Sequence, residues 1–597
     1  MSANPDKLTA TTPASAPAAE SAGRPARRTT GPPRQREWLT GWMALLVCLA
    51  LAAVPLLIDL GRGDAIVPAE ARAVARSAET WRGQVRLDHE SWREAAVPWY
   101  DGEPQLEAPP GTTWMHLAAF DLLDVPPGDP GGQLLAARLV AAAGALLTVA
   151  AVFWAGLSIG GLTTASLAAL VCLASPVLLM FGRLGSGDAP LLALTALSLA
   201  AAVWAIRPLK AAASRWRQAV GWILAGVLLG LAVLTGGIVA GVAVLMSLLL
   251  ILVLCPHRLS HVLGLVAAAL IAALVCTPWV LEVHGRDPAI WQSWLADLVL
   301  PAGQAPAEAG EVFGRRLGLL LAVMLPWTPW LIAAMMQPFS TSSTGSRLRM
   351  FLGWVWFVPL AMLLLMVPGE GTIREVLLAV PAGSLLIGQV FRQYVDLSAE
   401  GRHARMWRLL SWPCVGLLLL VSIALPMSLH YQARLVEKGW IEAPPVAAMH
   451  PTYWVSCGLL LVLLVLLSMR FVGRHFPGKA VMVWALWVVT AAAMLTVPVA
   501  RGPWLHSTTP RDTRLLSRLR QDVAIYRLSD PLPPGVMLYL GSPVPRLTRQ
   551  RLVAGDAAGR WYLLLQDGQP MPPTMREVIR LPDSELRLAR PVVDGSR

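Results

Sequence analysis

Trp38–Leu60 reads WLTGWMALLVCLALAAVPLLIDL, with no charged side chain before Asp59. A helix rises about 1.5 Å per residue, so a run of about twenty apolar residues crosses a hydrocarbon layer of roughly 30 Å. Similar runs recur near 134–156, 160–181, 188–206, 218–235, 237–255, 259–283, 316–338, 350–368, 375–393, 408–427, 452–472 and 481–500. With the first they make about thirteen spans of the length a bilayer requires. The expected fold is mainly α: a polytopic membrane protein.

Composition agrees. Of 597 residues, 55% are hydrophobic and only 14% charged, too few to cover a soluble globule of this size. The net charge of +12 does not point to nucleic acid, because no basic soluble domain with interleaved aromatics is present. It fits cationic loops on the cytoplasmic side of a membrane. The loops 207–217, 339–349, 394–407 and 473–480 carry Arg207, Lys210, Arg215, Arg217, Arg347, Arg349, Arg402, Arg405, Arg474 and Lys479, whereas 182–187, 369–374 and 428–451 carry few cations. An odd span count then places the N-terminus inside, and the C-terminus and the 61–133 and 284–315 loops outside. The six cysteines sit in or beside apolar runs, without a CxxC spacing, and read as small buried residues.

Three regions follow. Residues 1–37, rich in Ala, Pro, Thr and Arg, read as a disordered basic cytoplasmic tail. Residues 38–500 form the membrane domain with the outer loop 61–133. Residues 501–597 read as a small outer α/β domain. It has a helix over Thr513–Arg527 and strands at Val536–Leu540 and Trp561–Leu565, punctuated by Pro533-Pro534-Gly535 and Gly555-Asp556.

Chemistry is expected in the outer loop, whose residues 65–117 read AIVPAEARAVARSAETWRGQVRLDHESWREAAVPWYDGEPQLEAPPGTTWMHL. It is acid-rich and Trp-rich in a chain that is otherwise apolar. Asp88-His89-Glu90 suggests a metal, but adjacent residues cannot all face one ion, and no HExxH-type spacing occurs. Trp38, Trp81, Trp92, Trp99 and Trp114 read as interface anchors before sugar platforms.

This loop resembles the first outer loop of the protein O-mannosyltransferase and lipid A aminoarabinose transferase families. These are membrane glycosyltransferases of the fold called GT-C that use polyprenyl-phosphate sugars. The resemblance rests on VPAEARAVARSAETWRGQ and VPWYDGEPQLEAPPGTTWMHLAA, set beside the family's D-E-x-R-Y and E-K-P-P-L-x-Y-W. It extends to GRLGSGD at 182–188 (R-x-x-x-x-D), Leu234-Thr235-Gly236-Gly237 (L-T-K-G), Pro278-Trp279, Leu325-Pro326-Trp327 and REVLLAVPAG at 374–383. It spans roughly residues 38–500.

The resemblance implies sugar transfer from a polyprenyl-phosphate donor to a lipid, glycan or protein acceptor, at the outer face of the inner membrane. A carboxylate would take the acceptor's proton and cations would hold the leaving phosphate. Carried over residue by residue, Asp188 and Glu70 are the candidate acids or bases, and Arg72, Arg183, Glu107 and Arg374 the candidate donor-binding residues. The cofactor is left open, a divalent metal being one option, with no metal ligands assigned. Plainer readings stand beside these: Asp188 as a helix N-cap, Arg183 as an interfacial anchor, Glu70 and Arg72 as the solvated face of an amphipathic helix. The chain departs from the family pattern where Ala69 replaces the usual Asp, and where Ala108 and Gly236 replace lysines. The outer E-H pair of the family finds only Leu298 and Val299, with Asp297 one place early. These departures motivate an alternative, a catalytically silent GT-C-fold protein that binds a lipid carrier or partner. A transporter is disfavoured by the scarcity of ionisable groups within the spans.

Overall fold

The computed structural model describes residues 33–62, 67–86, 96–206, 214–253, 258–296, 306–340, 353–365 without 359 and 363, 373–397, 401–437 and 449–501. In the C-terminal region it describes 516, 524–527, 537–538, 540, 561–566, 575–581 and 586–591. Two compact units are distinguished, Met1–Met43 and Ala44–Arg597. The described part of the first is the opening of helix α1, Pro33–Leu57; everything below concerns the second.

Among the described residues, eight helices are long and apolar enough to cross a membrane, and nine if a pair bent by 105° (Gly310–Val323 and Thr328–Met336) is one span. The other expected spans also fall on helix, in shorter or less apolar pieces. Residues 160–181 break into Leu162–Leu173 and Pro176–Phe181, because Ser175 stops one helix and caps the next by accepting from the Leu178 N–H. Residues 238–253 form a sixteen-residue helix, and 379–397 a polar-flanked one. The 350–368 run lies partly outside the described residues.

The elements that build the site are few. Amphipathic α2 (Pro68–Arg86) follows α1. A short hairpin, β1 (Trp99–Tyr100) and β2 (Glu103–Pro104), turns at Asp101 and Gly102, both at positive φ, as an Asp-Gly turn requires. Then come α3 (Gly111–Leu122), α4 (Pro130–Gly160), α5 (Leu162–Leu173), α6 (Pro176–Phe181) and α7 (Asp188–Ile206). Helices α8 (Arg215–Gly236), α9 (Ile238–Val253), α10 (Arg258–Arg286) and α11 (Ile290–Ala296) complete that half. Gly237, at φ +77°, separates α8 from α9.

Small residues set how closely these helices pack. A Cβ on Gly144 of α4 would stand 2.6 Å from the Pro190 nitrogen of α7, and one on Gly226 of α8 2.7 Å from the Ala268 carbonyl oxygen of α10. Without a hydrophobic drive between helices in lipid, such close approach is what association relies on. α7 is buried along nearly its whole length, and Ser198 ties it to α8 by donating to the Ala225 carbonyl at 2.9 Å. α10 instead exposes Leu259, Leu263, Val266, Leu270 and Leu274 at helical spacing, a face suited to acyl chains.

The C-terminal region departs from the expected layout. Residues 524–527 are a strand rather than the end of a helix, and Met537, Leu538 and Leu540 are helical rather than extended. Trp561–Gln566 is a strand as expected. It sits in a four-stranded sheet with Ala524–Arg527 parallel on one side and Leu586–Pro591 antiparallel on the other, Met575–Leu581 completing the order. Short apolar runs of five residues carry no periodicity that separates helix from strand. Leu516, Met537, Leu564, Leu586 and Leu588 pack against Ala71, Val74 and Ala75 of α2 and Leu134 and Ala137 of α4, so the apolar face of α2 lies on protein.

Replacing Gly144 by Ala must push α4 and α7 apart; a cost of about 1–3 kcal/mol is expected. It should show as a lowered Tm of the solubilised protein. Gly83→Ala, where an added Cβ meets nothing within 4 Å, should leave Tm unchanged.

Candidate functional site

Two polar clusters meet at the loop 182–187. The first is closed. Glu70, 0% exposed, accepts from Arg138 Nε at 2.8 Å and from the Gly185 N–H at 3.0 Å. Arg138, itself buried in α4, also donates to the carbonyls of Leu60 and Arg62, each at 3.1 Å. Arg183 donates to the carbonyls of Pro55 at 2.7 Å and Leu56 at 3.0 Å, the unpaired end of α1, where a cation suits the helix dipole. Burial, with Arg138 nearby, pushes the Arg183 guanidinium down to about 10. These groups join α1, α2, α4 and the loop. Neither Glu70 nor Arg183 is among the residues that line the cavity described next. Arg72 lies exposed on α2 beside Arg76 and Tyr100, also away from the cavity. Its charge adds to burial in lowering Arg76, while burial raises Tyr100.

Other polar residues of α2 are anchors as well. Glu79 accepts from the N–H groups of Asp101 and Gly102, each at 2.7 Å, and so holds the hairpin turn. Thr80 Oγ1 accepts from the Trp99 N–H at 3.0 Å, and Trp81 Nε1 donates to the Val125 carbonyl at 3.2 Å. Ser77 Oγ meets His116 Nδ1 of α3 at 2.9 Å, with His116 wholly buried. Burial pushes that imidazole down to about 4.

The second cluster is open. A cavity of about 890 Å³ is lined by Glu107, Thr112, Ser186, Asp188 and Arg374 together with mostly apolar residues of α8, α9 and α10. Asp188 Oδ1 receives Arg374 Nε at 2.9 Å and Nη2 at 2.8 Å, and Oδ2 receives Ser186 Oγ at 2.6 Å. Asp188 opens α7, while Arg374 comes from the short helix Ile373–Val376. Gly187, at φ +81°, stands against Thr112, so a side chain there would be both strained and obstructed.

An aromatic wall completes the cavity. Trp279 and Trp294 stack at 4.9 Å between centroids, and Trp291 meets Trp294 edge-on at 5.2 Å. Sequence reasoning singled out other tryptophans; of those, Trp81 packs in the α2–α3 core and Trp114 near Trp279. The Pro278-Trp279 pair was visible only as a motif. Trp92, Asp88-His89-Glu90 and residues 297–299 lie outside the described residues. Among the described residues no group of three or more His, Cys, Asp or Glu is placed to hold a metal ion.

With eight bilayer-length apolar helices among the described residues, the chain is a polytopic membrane protein. Comparison with known proteins agrees. The family model "Dolichyl-phosphate-mannose-protein mannosyltransferase" matches residues 126–293. The chain is 30% identical over 273 residues to an undecaprenyl phosphate-alpha-4-amino-4-deoxy-L-arabinose arabinosyl transferase of Pseudomonas fluorescens, covering 41% of this chain and 45% of that one. A protein of the same description from Aeromonas hydrophila is 25% identical over 366 residues, 60% of this chain and 63% of its own. The chain thus spans from about a quarter to under two thirds of the curated relatives it matches. In structure it is similar to ArnT from Cupriavidus metallidurans bound to undecaprenyl phosphate (TM-score 0.65, 17% identity, 93% of this chain and 99% of that chain). It is also similar to the archaeal oligosaccharyltransferase AglB from Archaeoglobus fulgidus (TM-score 0.50, 11% identity, 89% and 69%). The likeness to these solved structures shows the GT-C fold, and the apolar helices make the chain a multi-pass membrane protein.

Two outcomes follow from these buried groups. Glu70→Ala leaves Arg138 buried without its partner and should destabilise the fold by about 3–5 kcal/mol, read as a fall in Tm; Glu70→Gln should cost less. His116, lowered when folded, favours the neutral ring. Its stabilisation is complete above the ordinary value of 6.5 and lost as pH falls towards about 4. Tm should therefore fall across that window, by up to about 3 kcal/mol of stability, and His116→Phe should flatten this part of the profile.

Proposed function

We propose that the chain is a membrane glycosyltransferase that moves a sugar from a polyprenyl-phosphate donor to an acceptor hydroxyl or phosphate. The cavity carries the reading: it is an amphiphile's mould, with a charged head region beside α7 and an apolar body formed by α8, α9 and α10. Asp188 is the base, Arg374 meets the phosphate, and Glu107 faces the same space and orients the sugar or acceptor. The first turn of α9, with Gly237 and Ile238 at the cavity wall, adds backbone dipole favourable to an anion. Names given to relatives, an undecaprenyl-phosphate arabinosyl transferase and an ArnT bound to undecaprenyl phosphate, support the donor class. The acceptor is a lipid, glycan or protein.

The cationic loops argue for a cytoplasmic N-terminus and a periplasmic C-terminus, which puts the cavity's charged end and loop 61–133 on the outer face. A divalent metal, if the reaction uses one, is to be sought by adding chelator to active membranes. A second reading, a silent carrier-binding protein, is favoured by Ala69, Ala108 and Gly236 standing where the family pattern has charged residues.

Membranes holding the full chain, supplied with radiolabelled polyprenyl-phosphate sugar, should transfer label to endogenous acceptor. Asp188→Asn should lower the rate at least about 100-fold, the scale of a lost general base. Full retention would remove Asp188 from the role. Activity that emerges only after Ala69→Asp and Ala108→Lys would establish the silent reading.

A further inference from the structure

Arg374 does not wait free for an anion. Its Nε and Nη2 both donate to Asp188 Oδ1, at 2.9 and 2.8 Å, while Ser186 occupies Oδ2. In this state the proposed base has each oxygen engaged. The guanidinium side chain is 43% exposed and the carboxylate 12%, so an incoming anion meets Arg374 before it meets Asp188. Among the described residues, Arg374 is also the one cation lining the cavity, against the carboxylates of Glu107 and Asp188. A headgroup phosphate entering there must take Arg374 from Asp188.

We propose that Arg374 is a latch: the donor's phosphate draws its guanidinium off Asp188, and the base is uncovered only when the donor is in place. This rests on the polyprenyl-phosphate reading above. The exchange is physically easy. A half-exposed ion pair is weak, and phosphate offers a guanidinium fork more charge and a bidentate fit. In the step that follows, the acceptor oxygen forms a bond to the anomeric carbon. The bond from that carbon to the phosphate oxygen breaks, its electron pair staying on phosphate. The acceptor's proton passes to Asp188 Oδ1, the atom Arg374 has just left. The departing phosphate gains one negative charge, held by Arg374. When polyprenyl phosphate diffuses away, Asp188 returns its proton to water and the pair re-forms. Donor binding therefore precedes base activation, and an acceptor that arrives first meets a masked carboxylate.

The test is equilibrium binding of radiolabelled undecaprenyl phosphate to the full chain in nanodiscs, for the wild type, Asp188→Asn, Arg374→Gln and the double variant. Asn still caps a helix, and monodisperse elution confirms folding of each variant. The latch predicts that Asp188→Asn, lacking the competing charge, binds three- to tenfold more tightly while losing transfer. It predicts that Arg374→Gln binds at least tenfold more weakly, that the double variant matches Arg374→Gln, and that Arg374→Lys recovers part of the affinity. If the wild type binds, Arg374→Gln binds weakly and Asp188→Asn is unchanged or weaker, the latch is wrong and the donor reading survives. If the wild type does not bind undecaprenyl phosphate, the donor reading fails and takes the latch with it.

Discussion

The ion pair between Glu70 and Arg138 is the constraint on which the site depends. Two charges taken out of water are costly unless their remaining hydrogen-bonding capacity is also met. Here it is met by backbone: the Gly185 N–H on the acid, the Leu60 and Arg62 carbonyls on the guanidinium. The pair thereby fixes three remote pieces of backbone: the end of the α1 region, the start of α2 and the loop that leads into α7. Asp188 lies three residues beyond Gly185, so its place in the cavity is set by charges it never touches.

Polar residues around this loop divide their work by accessibility. Those facing inward, Glu70, Arg183, Glu79, Ser77 and His116, are consumed in holding backbone and neighbouring helices. Those facing the cavity, Glu107, Asp188 and Arg374, keep a surface on open space. Both groups use the same residue types. What separates them is which side of a two-turn loop they face, and the glycines at 185 and 187 let that loop pass close to α4 and to Thr112.

That division explains what could and could not be read along the chain. The membrane body was legible because apolar runs of bilayer length leave helix as the main solution for a buried backbone. The order of short motifs singles out Asp188, Glu107 and Arg374, and the fold brings them to the lining of one cavity across 267 residues. The same motifs single out Glu70 and Arg183, which the fold engages with Arg138 and with the end of α1, because a motif gives residue type and not burial. Arg138 leaves a signal of its own: a lone arginine in an apolar helix must have a partner, though the sequence does not say which acid it is. The tryptophan wall at 279–294 had no such mark, since tryptophans occur throughout the molecule. Within 536–540 the described Met537, Leu538 and Leu540 are helical where the sequence suggests a strand, because five apolar residues carry no period.

The apolar body of the cavity also fixes how the protein meets its occupant. On the proposed donor reading, a cavity lined by α8, α9 and α10, with leucines of α10 turned outward, would be loaded from a two-dimensional solvent. What would then govern occupancy is the number of donor molecules per lipid, not their number per litre. Adding inert lipid or detergent at fixed donor would empty the site by surface dilution alone, and any apparent affinity carries the composition of the bilayer in which it was measured.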